Sequence, residues 1–179
     1  MPRYVAFLRA INVGGHTVTM EALRRLFADL GVTGVETFIA SGNVIFSSAA
    51  KDTRALERRI EVHLEKGLGY EVKTFVRTDL EVAAVATHAP FNASQMRSAG
   101  ALNVAFLAEP LTAEAGKLLM TLKTEIDDFH VHGREVYWLC RKRQSESTFS
   151  NVRFEKAVKV RSTFRGVSTL AKLAARLKA

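Results

Sequence analysis

Two short loops and a basic C-terminal stretch hold most of the side chains that could do chemistry. The first loop, Arg9–Thr17, carries Arg9, Asn12 and His16 around the pair Gly14 and Gly15. The second, Ser41-Gly42-Asn43, adds a hydroxyl, a glycine and a carboxamide. A guanidinium, neutral donors and glycine amides together suit an anion. Glycine lets the main chain approach closely, and N–H groups near a helix start carry positive partial charge. His16 is the titrating group of this set, so it would act as acid or base if the ligand were a substrate. The spacing fits neither G-x-x-x-x-G-K-[ST] nor G-x-G-x-x-G, which argues against a P-loop and a dinucleotide fingerprint.

Charge is distributed unevenly. From Arg141 to Ala179 there are 11 Lys and Arg against 2 Asp and Glu, while the rest of the chain has 15 against 16 and the total is +8. Such a block meets an anionic partner, a phosphorylated small molecule or nucleic acid, or is simply a solvated surface. Arg141, Lys142 and Arg143 read as loop residues. Lys172 and Arg176 are four apart on the outer face of a final helix, opposite Leu170, Leu173 and Leu177. Within this stretch Arg165 is a further anion-binding candidate. The sequence pattern of RNA-binding ferredoxin-like sheets is absent, which argues against recognition of RNA on strand aromatics.

Asp128, His130 and His132 alternate with Phe129 and Val131, so a strand would put the polar three on one face. Imidazole and carboxylate in a row can hold a metal, but the sequence offers no evident fourth ligand, and a solvated hairpin face is the expectation. No metal and no cofactor are expected. Cys140 stands beside three cations that would lower a thiol pKa, yet a lone strand cysteine reads as inert core. Tyr137 and Trp138 read as packing groups, and exposure of one of the two rings is left open.

These groups need elements to position them. Tyr4–Leu8 is apolar on both faces, as a central strand is. A helix is expected from about Met20, with Thr19 as cap, Leu23, Leu26, Phe27 and Leu30 inward, and Gly31 as its end. Glu36–Ala40 and Val44–Ser48 read as strands around a tight Ser41-Gly42-Asn43 turn. A second helix runs from about Asp52 to Gly67 with Leu56, Ile60, His63 and Leu64 on one side, and Tyr70–Arg77 is a fourth strand. Thr78 and Glu81 form a capping box for a third helix ending near His88. Phe91–Gly100 reads as a linker.

The order then repeats: strand Leu102–Leu107, helix Thr112–Leu122, strands Phe129–Val131 and Val136–Cys140 around Gly133, and a helix over Ser147–Val158. A short edge strand, Thr163–Arg165, and a last helix capped by Ser168 or Thr169 complete it. The fold class is α+β: two βαββαβ, ferredoxin-like halves in tandem, each an antiparallel sheet with helices on one face. The halves are expected at residues 1–77 and 101–179, joined by a helix and linker over 78–100. A right-handed crossover makes the first two strands parallel. Their C-terminal ends then share one sheet edge, which sets Arg9–Thr17 beside Ser41-Gly42-Asn43.

The runs Tyr4-Val-Ala-Phe-Leu-Arg-Ala-Ile-Asn-Val-Gly-Gly15 and Thr37-Phe-Ile-Ala-Ser-Gly-Asn-Val-Ile-Phe46 resemble a bacterial family, domain of unknown function 1697. Its members look like LRGINVGG near the start and YIASGNVVF after it. Arg9, Ile11, Asn12, Val13, Gly14, Gly15, Ser41, Gly42 and Asn43 match, and Ala10 stands where the family has glycine. The family's serine-rich helix start corresponds to Ser147-Thr-Phe-Ser-Asn151, with Glu155-Lys156 following. Its TTRNWNT motif appears as Thr163-Phe-Arg-Gly-Val-Ser-Thr169, keeping Thr163, Arg165 and Thr169. Gly166 and Val167 replace Asn and Trp. The resemblance spans nearly the whole chain and implies no activity and no cofactor.

The totals are those of an ordinary globular protein, 47% hydrophobic and 25% charged. One cysteine excludes an intramolecular disulfide framework and suits a reducing compartment. No apolar run approaches the ~18 residues of a membrane span, and the N-terminus lacks a signal peptide's pattern, so no membrane association and a cytoplasmic location are expected. The favoured function is binding of a phosphate-containing or nucleic-acid ligand at Asn12–Gly15 and Ser41–Asn43. The alternatives are an enzyme on a small anionic substrate there, with Arg9 or Arg165 as clamp, and a protein-interaction module or homodimer.

Overall fold

The computed structural model describes residues 1–11, 15, 17–39 and 42–179. The apolar run near the start forms β1 (Arg3–Leu8), followed by α1 (Met20–Ala28), β2 (Thr33–Thr37), β3 (Asn43–Ser47), α2 (Thr53–Leu68) and β4 (Thr74–Thr78). These strands make one antiparallel sheet in the order β2-β3-β1-β4. After α3 (Asp79–Thr87) and α4 (Ala93–Ser98) come β5 (Ala101–Phe106), α5 (Ala113–Met120), β6 (Asp127–His132) and β7 (Glu135–Cys140). The chain ends with α6 (Asn151–Val158), β8 (Thr163–Gly166) and α7 (Val167–Lys178). The second sheet has the equivalent order β6-β7-β5-β8, so both halves are βαββαβ and the protein is α+β.

By contacts the chain divides into two compact units, Met1–Ala84 with Lys172–Ala179, and Val85–Ala171. In the first, Tyr4, Ala6 and Leu8 of β1 pack with Val44 and Phe46 of β3 against Leu23 and Phe27 of α1 and Leu56, Ile60 and Leu64 of α2. Burying each of these valine, leucine, isoleucine and phenylalanine side chains stabilises by about 1.5–3 kcal/mol. Both faces of β1 are buried, and its two edges are paired with β3 and β4. In the second, Ala115 and Leu119 of α5 and Phe154 and Val158 of α6 pack on Ala105, Phe129, Val136 and Trp138 of the sheet.

Several boundaries differ from the sequence reading. The helix α2 passes Gly67 and ends on Gly69, whose φ of 83° supplies the left-handed C-cap, so β4 begins at Thr74 rather than Tyr70. Strands β2 and β3 are bounded differently from the expected Glu36–Ala40 and Val44–Ser48. β2 stops at Thr37, and Asn43 is already the first residue of β3. Residues 93–98 of the expected linker are helical, because Asn92 and Gln95 form a capping box. The serine-rich start lies outside α6: Ser150 is its N-cap, and Ser147 is occupied elsewhere. α7 follows β8 directly and starts at Val167, so Ser168 and Thr169, the expected caps, lie inside the helix. Among the described residues no helix is long and apolar enough to cross a membrane.

Candidate functional site

The C-terminal end of β1 and the N-terminal end of β3 meet at one edge of the first sheet. Phe7 is paired with Asn43, and the Leu8 amide donates to the Gly42 carbonyl at 2.9 Å. Arg9, one residue on, donates its own amide to the Lys73 carbonyl at 2.9 Å. The described ends of the two loops are therefore joined by main-chain bonds, and Arg9 and Gly42 sit together, both half-buried. Asn12, Gly14, His16 and Ser41 lie outside the described residues.

Three of the described residues around this junction have left-handed backbones: Ala10 at φ 57°, Gly15 at 86° and Ile39 at 56°. For glycine this carries no penalty. For alanine and for β-branched isoleucine it costs on the order of 1–2 kcal/mol each. Asn43 is buried, and its carboxamide donates to the Phe38 carbonyl at 3.1 Å. It closes the connection from β2 rather than offering its side chain outward.

The basic residues are shared between the units. Lys172 and Arg176 belong to the first, where Arg176 holds Glu36 of β2 through two bonds of 2.9 and 3.0 Å. Arg141, Lys142 and Arg143 belong to the second. Arg141 donates to the Glu125 carbonyl at 3.3 Å and lies 3.9 Å from Asp128. Arg165 donates to the Thr163 hydroxyl at 2.7 Å and the Phe164 carbonyl at 2.9 Å. Burial pushes its guanidinium down to about 10, still protonated at neutral pH. Arg165 is thus a cation fixed against its own strand.

The second unit contains a cluster that sequence spacing did not reveal. His130 and His132 share a face of β6, and His88, just past α3, joins them. Its ring stacks on His132 with centroids 4.0 Å apart and 17° between planes, and lies 5.7 Å from His130. One ligand nitrogen from each ring lies within 4.8 Å of the others. His88 Nε2 is buried with no hydrogen-bond partner. Burial first, then the neighbouring His132 and His130, holds His88 below the usual histidine value. Asp128, expected on this face, turns instead to cations, 3.2 Å from Lys123.

The remaining candidates are structural. Cys140 is buried, and that burial raises its thiol pKa, so Arg141, Lys142 and Arg143 do not activate it. Tyr137 and Trp138 are both buried, neither ring being open to solvent. Trp138 donates to Asp127, which also accepts from the hydroxyls of Ser147 and Thr124. Ser147 therefore serves packing. Asn151 and Glu155 do the same through Ser162: Asn151 donates to its carbonyl at 3.0 Å, and Glu155 accepts its amide at 2.7 Å.

A family model described as "Protein of unknown function (DUF1697)" matches residues 1–137, and the chain belongs to that family. Among solved structures it is similar to a conserved bacterial protein from Streptococcus pneumoniae. The TM-score is 0.75 at 23% identity, over 100% of this chain and 99% of that one. At that identity the likeness shows the fold. No curated protein matches the chain.

Proposed function

We propose that this member of the family is a cytoplasmic protein that binds a phosphate-containing small ligand at the sheet edge where the two N-terminal loops meet. The observation that carries the reading is the backbone on either side of the Leu8–Gly42 bond. Ala10 and Ile39 both hold left-handed dihedrals there, one in each loop. Strain of this kind persists where surrounding structure over-determines it, and it concentrates at ligand clamps. Arg9, Gly15 and Gly42 would present charge and amides, with Asn12, Gly14, His16 and Ser41 as the remaining polar set. Asn43 would support the site by locking the connection behind it.

A small ligand is favoured over a polynucleotide because Arg176 is already committed to Glu36 and Arg165 to its own strand. The test is thermal denaturation of the full chain with inorganic phosphate, pyrophosphate, ATP or a short RNA. Native-state binding raises the midpoint, by the equivalent of about 2.7 kcal/mol at a hundred times Kd. ATP or pyrophosphate should raise it, and Arg9→Ala should abolish the rise. A midpoint unmoved by every phosphorylated probe overturns the reading. So does a shift with RNA alone that fades steeply with salt, because it assigns the cations to nucleic acid.

A further inference from the structure

We propose that His88, His130 and His132 form a binding site for a divalent transition metal, with zinc as the natural probe. Two imidazoles at alternate positions of β6 are a row and nothing more; their ring centroids are 6.4 Å apart. The third imidazole, brought from the end of α3, makes the row a cluster. Its placement has a structural cause. Tyr137, the cross-strand partner of His130, donates its hydroxyl to the Val85 carbonyl at 3.1 Å, and Val85 lies one helical turn before His88. That bond ties the end of α3 to the sheet and holds His88 beside β6.

The donor set fits the chemistry. Neutral imidazole nitrogen is a ligand for zinc, copper, nickel and iron, and three histidines with an open fourth position suit a metal that also holds water or substrate. Metal–nitrogen bonds of about 2.0–2.1 Å place tetrahedral nitrogens about 3.3 Å apart, against the 4.8 Å that bounds the present set. Closing that gap requires the stacked His88 and His132 rings to splay. His132 is exposed and can turn. The buried Nε2 of His88, which has no hydrogen-bond partner, would instead be satisfied by giving its lone pair to the metal. Among the described residues no carboxylate or thiol joins the cluster.

The full chain, stripped by a chelator, is titrated with Co2+, followed by its visible absorption, and with Zn2+ in competition with a chromophoric chelator. One equivalent should bind, with the visible bands of nitrogen-bound cobalt. His132→Ala, at an exposed position, should weaken zinc at least ~10-fold, and His88→Ala likewise. His63→Ala should bind as the parent does, because His63 lies on α2 near Asp29. Near-ultraviolet circular dichroism from buried Trp138 checks that each variant is folded. The proposal is overturned if Zn2+, Co2+, Ni2+ and Cu2+ all fail to bind saturably. It is equally overturned if folded His132→Ala retains the parent's affinity, or if His63→Ala is the variant that loses it.

Discussion

The indole N–H of Trp138 donates to the Asp127 carboxylate across 2.8 Å, and both side chains are essentially shut off from solvent, at 1% and 0% exposure. Asp127 also accepts the Ser147 and Thr124 hydroxyls at 2.8 Å each. Asp127→Ala would strand a buried indole donor and two hydroxyls. We expect a loss of about 3–5 kcal/mol by urea denaturation, and about 1–2 for Ser147→Ala. A loss below about 1 kcal/mol for Asp127→Ala would show that water replaces the carboxylate.

Gly100 and Gly116 make opposite predictions. A Cβ on Gly100 would meet the Lys142 carbonyl oxygen at 2.5 Å, and backbone cannot step aside cheaply. Gly100→Ala should cost about 1–3 kcal/mol. Gly116, inside α5, would meet nothing within 4 Å, so Gly116→Ala should stabilise by about 1 kcal/mol through helix propensity. Denaturation midpoints moving in the same direction for both would contradict this assignment.

Ala10 holds a left-handed backbone at φ 57°. Ala10→Gly should raise stability by about 1 kcal/mol by relieving the left-handed penalty, despite the entropy that glycine adds to the unfolded chain. The thermal midpoint is the readout. A variant no more stable than the parent would mean that the backbone there is not strained, and would remove half of the support for the loop site.

Glu57 sets a pH dependence. Its carboxylate is buried between α2 and β4, accepting the Val76 amide at 2.8 Å and an Arg54 bond at 2.8 Å. Burial raises its pKa, against the opposing effects of the Val76 amide, Arg54 and Arg77. The native state then binds the proton more tightly than the unfolded chain. The associated stability is present below the unfolded pKa of about 4.3 and is lost as pH rises through the raised native value. Glu57→Gln does not titrate, so its stability relative to the parent should climb between about pH 4 and pH 7. Urea denaturation across that range checks it; a constant or falling difference refutes the sign.

What the chain disclosed in advance was local. The doubly apolar Tyr4–Leu8 is a central strand, Thr19 caps α1 and Thr78 boxes with Glu81, because each depends on residues a turn or less apart. The meeting of the chain after β1 with the chain before β3, made by the Leu8–Gly42 bond, followed from the split βαβ topology rather than from any local signal. Periodicity had no access to His88 joining β6, nor to Ser147 serving Asp127, since both join residues far apart in sequence. The Asn92–Gln95 box was readable but was hidden in a segment whose Asn, Ser and Gly content resembles a linker. The true C-cap of α2 was two residues beyond the first glycine, since Gly67 and Gly69 are equally plausible on paper.

The first unit is assembled from two separated pieces of chain, with Lys172–Ala179 returning to it after the whole of Val85–Ala171. Arg3 on β1 donates to the Leu177 carbonyl at 2.8 Å, and Glu36 waits for Arg176. During synthesis, at roughly 5–20 residues per second, the N-terminal sheet must stand without its final contacts while the second unit is made. Vectorial folding therefore favours the second unit as the first to be finished, and a fragment cut after Ala84 would lack those contacts.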